Sequence, residues 1–124
     1  DPVFSYRLQV SENAQHVLAD LMAQLRPDLK HLRLAIEGHT DSDPMPPGAS
    51  FKDNYALGYA RAVTVAEILR TTHNIPADAL LISSAGADHP PFPDADEDSK
   101  ARNRTVVIRV FARDTEEASE KGAP

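Results

Sequence analysis

Apolar and polar residues recur along the chain with two periods, and each period marks a kind of element. Residues 3–7, "VFSYR", read as a short strand. Ser11 and Glu12 then open a helix in which Ala14, Val17, Leu18, Leu21 and Leu25 recur at helical spacing, until Pro27 stops it. Residues 32–37 alternate: Leu32, Leu34 and Ile36 share one face, and Arg33, Ala35 and Glu37 the other. A loop over 40–53 carries three of the ten prolines. A second helix is predicted from Asn54, a good N-cap residue, to Thr72. The turn "NIPADAL" leads into a strand over 80–84, and a proline-rich acidic loop follows over 86–98. A short helical turn is expected near 98–102. A last strand over 105–111 puts Val106, Ile108 and Val110 on one face and Thr105, Val107, Arg109 and Phe111 on the other.

This order predicts an α/β (α+β) domain, βαβαβ(α)β, with a mixed sheet. Arg33, Glu37 and Arg109 on the strands' second faces predict helices on one side only, hence a two-layer sandwich. The folded part is expected over 1–112 as one domain, followed by a polar, disordered tail over 113–124. The abrupt start at Asp1-Pro2 reads as a domain cut from a longer protein.

Composition narrows the function classes. The formal net charge is −6 with no Lys/Arg cluster, which argues against nucleic acid and against a polybasic membrane contact. The absence of cysteine excludes disulfides and thiolate metal sites. No apolar run approaches the roughly 18 residues that span a bilayer.

The second helix holds the most informative residue. With Leu57 at zero on a wheel, Ile68 falls at about 20°, Val65 at about 80°, Leu69 at about 120° and Ala62 at about 140°, an apolar stripe that must face the sheet. Arg61 falls inside that stripe at about 40° and Asn54 at about 60°, whereas Glu67 and Arg70 lie opposite. A core-facing arginine needs a partner. The end of the preceding strand, "IEGHTDSD" (36–43), offers Asp41. The counter-charge is Asp41, or a ligand carboxylate, or both. An Asp41–Arg61 pair that merely pins the loop is the plainer alternative. In the functional one, opposite charges at one mouth suit a zwitterion: Asp41 accepts from an ammonium and Arg61 forks onto a carboxylate.

Other chemistry fares less well. His39, Asp41 and Asp43 suggest a metal-dependent hydrolase, but Asp43 before Pro44 already belongs to a turn, and three converging ligands are wanted. No serine sits in a nucleophile elbow, and the five glycines form no phosphate loop. The acidic run 94–98 lacks the glycine and terminal glutamate of a calcium loop. No catalytic residue, cofactor or metal is expected.

Taken in order, "IEGHTDSD", "NYALGYARAVTVAEIL", "ISSAGADHPP" and "ARNRTVVIRV" resemble the OmpA-like C-terminal domain, the family of OmpA, the peptidoglycan-associated lipoprotein Pal and the flagellar stator protein MotB. The likeness covers about residues 3–112. It implies non-covalent binding of peptidoglycan through the meso-diaminopimelate of its stem peptide, anchoring a periplasmic cell-envelope protein to the wall. The residues that resemblance assigns to the grip are Asp41 and Arg61, with Thr40, Asn54 and Leu57 lining the pocket and Asn103-Arg104 matching the family's Asn-Arg. Gly38 is expected to permit a close backbone approach there, and Asp43 and its prolines to shape the wall. Two departures stand out: Thr105 replaces a second arginine, and Phe4 is followed by Ser5-Tyr6 where the family commonly has Phe-Asp. A domain of the same fold without glycan binding is the alternative.

Overall fold

In a computed structural model, residues 3–6 and 8–113 are described, Ser5 and Tyr6 by their backbone alone. The elements are β1 (Phe4–Tyr6), β2 (Gln9–Val10), α1 (Glu12–Leu25), a 3₁₀ turn (Arg26–His31), β3 (Leu32–His39), α2 (Asn54–Thr72), a 3₁₀ turn (Ala77–Ala79), β4 (Leu80–Gly86), α3 (Glu97–Asn103) and β5 (Val106–Ala112).

The alternating stretch becomes the central strand. β3 pairs parallel with β4 and antiparallel with β5, in the order β4-β3-β5. The parallel pair requires a crossover, and α2 supplies it. Ile36 stands opposite both Ile82 and Ile108, so apolar positions share the helix side of the sheet. Leu34 and Ile36 meet Ala62, Val65 and Leu69 of α2 and Leu18 and Met22 of α1 in one core. The other face remains open, with Leu81 47%, Phe111 46% and the Arg109 side chain 53% exposed. The two-layer mixed architecture therefore follows the sequence pattern.

The first strand departs from expectation. β1 forms a separate antiparallel ribbon with β2 and adds nothing to the main sheet. Its Phe4 is nonetheless 3% exposed and packs into the core. α1 stops at Leu25, and the chain runs on from Arg26 as a 3₁₀ turn with Pro27 in its first turn, where the proline's missing N–H ends the α-helical bonding. The cap of α2 also needs correcting. Asp53, not Asn54, is the N-cap: its carboxylate accepts from the Ala56 N–H at 2.9 Å, where it also meets the positive end of the helix dipole. Arg113 donates its N–H to the His31 carbonyl, and the predicted disordered tail from 114 onward, like Arg7, lies outside the described residues.

α2 seats directly on the end of β3. A Cβ placed on Gly38 would lie 1.7 Å from the Gly58 carbonyl oxygen, so only glycine permits this approach. The expected close backbone contact thus exists, and its partner is α2.

Candidate functional site

The site forms where β3 ends under the first turns of α2. Between Gly38 and His39 the β3–β4 register slips by one residue, and His39 pairs with Gly86. Thr40 continues from there: its N–H donates to the Gly86 carbonyl at 2.9 Å and its hydroxyl to the Asp41 carbonyl at 2.8 Å. Thr40 is buried, which fixes the direction in which Asp41 leaves the sheet.

Asp41 is held by two donors. Arg104 Nε reaches Oδ2 at 2.7 Å, and the Asp43 N–H reaches Oδ1 at 3.0 Å. The side chain is 13% exposed. A carboxylate accepts at about four lone-pair directions, so about two remain for another donor. The bond from Arg104 is charge-assisted, and so among the stronger and more directional a carboxylate can accept. Asp41's ion pair is therefore with Arg104, and not with Arg61 as the helical wheel suggests.

Arg61 is 4% exposed, as its place on the core stripe requires. Its Nη1 donates to the His39 carbonyl at 3.1 Å, and its guanidinium carbon sits 5.1 Å from the centre of the Phe4 ring, within cation–π range. It lies beneath the strand end that presents Thr40 and Asp41. Leu57, one turn earlier, is buried, and Asn54 Nδ2 donates to the Asp43 carbonyl at 3.1 Å.

Asn103 behaves differently from the rest. Fully buried, it spends its amide on the Phe92 backbone, accepting from N–H at 3.0 Å and donating to the carbonyl at 3.1 Å. It fixes the 86–96 loop against α3 and does not bring a side chain to Asp41. Thr105, where resemblance expects a second arginine, is 7% exposed, and its carbonyl accepts from the His39 N–H.

Sequence reasoning overlooked Lys100. Its Nζ lies 3.2 Å from Asp43 Oδ1, and this bond together with the charges of Asp43 and Glu97 raises the ammonium's pKa above the usual lysine value. Lys100 and Arg104 are four apart at the end of α3, so both reach the 41–43 loop from one side. That spacing was the available signal. Asp96 caps the helix that carries them, accepting from the Ser99 N–H, and this backbone bond lowers its carboxyl pKa.

Of the groups a hydrolase would use, His39 is 2% exposed with its Nε2 2.8 Å from Glu37 Oε1, and Asp41 pairs with Arg104. Among the described residues no three His, Asp or Glu converge to hold a metal. An apolar groove of about 380 Å³ runs between α1 and β5 past Val17, Leu21 and Ile108, and none of the site residues lines it.

The profile of the OmpA family matches residues 5–104. Among solved structures, a MotB-like protein from Desulfovibrio vulgaris is 27% identical with a TM-score of 0.75, the alignment covering 90% of this chain and 70% of that one. The peptidoglycan-associated lipoprotein of Burkholderia pseudomallei is 26% identical with a TM-score of 0.68, covering 87% and 85%. The C-terminal domain of Helicobacter pylori MotB, at 21% identity and a TM-score of 0.77 over 99% and 93%, shares the fold. No curated protein sequence matches closely enough to count as a relative. The chain belongs to the OmpA family.

Proposed function

From that membership, we propose that the domain binds peptidoglycan non-covalently through the meso-diaminopimelate of the stem peptide. It would act as a periplasmic wall anchor and not as a catalyst. The observation that carries this reading is Asp41: a carboxylate oriented by Arg104 and the Asp43 N–H, with lone pairs left over, two residues beyond the His39 carbonyl that buried Arg61 holds. Diaminopimelate ends in an ammonium and a carboxylate on one carbon. The ammonium takes Asp41's remaining lone pairs. The carboxylate meets the guanidinium of Arg61 below and that of Arg104 at the rim, where the side chain is 36% exposed. Thr40, Asn54 and Leu57 hold the walls. The likeness to a peptidoglycan-associated lipoprotein supports the ligand class.

One observation favours a second reading, an interaction domain of the same fold without glycan binding. Arg61 is closed over by Phe4 and already serves the His39 carbonyl. A cell-wall pull-down separates the two. Wild-type domain is expected to co-sediment with purified sacculi, and Asp41→Asn, which keeps the shape and removes the charge, to stay in the supernatant. Sedimentation of neither protein would favour the second reading, and equal sedimentation of both would keep wall binding but remove Asp41 from it.

A further inference from the structure

Asp43 is tied from three sides. Its carboxylate is held by Lys100 of α3, its carbonyl by Asn54 of α2, and its N–H is spent on Asp41 Oδ1. Lys100 also approaches Glu97 Oε1 at 3.8 Å, and its side chain is 25% exposed. The Asp43 side chain, at 61%, is otherwise open to water. One of the two bonds that orient Asp41 is therefore only as well placed as Asp43 itself.

Resting on the diaminopimelate reading of the site, we propose that Lys100 is a positioning residue for ligand recognition. By holding Asp43 it keeps the Asp43 N–H on Asp41, and so keeps Asp41's free lone pairs aimed at the ligand ammonium. Lys100 acts through the loop and does not touch the ligand. Arg104 supplies the parallel restraint on the other oxygen, and the two together let α3 set the Asp41 rotamer.

Because the ligand is a zwitterion, loss of one cation has opposed Coulomb effects on its ammonium and its carboxylate. The proposal is therefore read from the coupling between Lys100 and Asp43 and from the residue-43 amide, not from the sign of the single change alone.

The test is a double-mutant cycle in the intact domain. A diaminopimelate-containing stem peptide is titrated against wild type, Lys100→Met, Asp43→Asn and the double variant. Hydrogen exchange at the residue-43 amide is followed in the free proteins. Each single variant is expected to weaken binding about two- to fivefold, the size of a partly exposed ion pair. The double variant should be no weaker than the worse single one, and the amide should exchange faster in both. Lys100→Met weakening binding further in the Asp43→Asn background would place Lys100 on the ligand and overturn the proposal. Unchanged or tighter binding by Lys100→Met would overturn it too. If wild type ignores the peptide, the ligand reading falls and Lys100's role in recognition falls with it. The exchange rates then still decide whether Lys100 holds the loop.

Discussion

Gly38 and Gly58 touch where α2 crosses β3, but a methyl group meets different neighbours at each. On Gly38 it would run into the Gly58 carbonyl at 1.7 Å, backbone that cannot yield without lifting α2 from the sheet. On Gly58 it would meet Ser84 Oγ at 2.4 Å, a hydroxyl bonded to the Tyr55 carbonyl and the Gly86 N–H, and the Gly38 carbonyl oxygen at only 3.1 Å, while alanine favours the helix. Gly38→Ala is therefore expected to cost at least about 3 kcal/mol, and Gly58→Ala no more than about 2 kcal/mol. Urea unfolding midpoints at constant slope would measure both. At this scale the sequence announced Arg61 clearly, because an arginine on an apolar stripe must be buried. It could not announce the partner of Asp41. Arg104 lies 63 residues away, and nothing local to either residue encodes that meeting.

The helices and the central strand were legible because their periods are long and clean: α1 repeats its apolar face over 14 residues and β3 alternates over residues 32–37. β2 has two residues and no period, so the ribbon that draws β1 away from the main sheet left no signature. The start of α2 shows the limit of cap reading. Asp53 and Asn54 are both good cap residues, and only the structure separates their duties, Asp53 to the helix and Asn54 to the loop. Asp53→Ala is expected to lower stability by about 1 kcal/mol, the usual loss for a cap. Asn54→Ala should change it by less than about 0.5 kcal/mol and instead weaken ligand binding, since the 40–53 loop loses its tie to α2. Thermal melts by circular dichroism, paired with peptide titrations, distinguish the two outcomes.

At the scale of the described residues, one layer of helices and one sheet face suffice to bury the core, and the proposed site sits at a single corner of that sandwich. There β3, α2 and α3 bring together Thr40, Asp41, Asn54, Leu57, Arg61 and Arg104, with Lys100 behind the loop. Net charge of −6 does not oppose a zwitterionic ligand, because the proposed recognition would rest on short-range pairing. Both halves of the ligand should count, and a stem peptide with lysine in place of diaminopimelate keeps the ammonium while lacking the distal carboxylate. Calorimetric titration of the wild-type domain with the two peptides is the most direct test. Binding of the diaminopimelate peptide at least about tenfold tighter, a difference of about 1.4 kcal/mol, is the predicted result. Equal affinity for the two peptides, or no heat from either, would contradict the account.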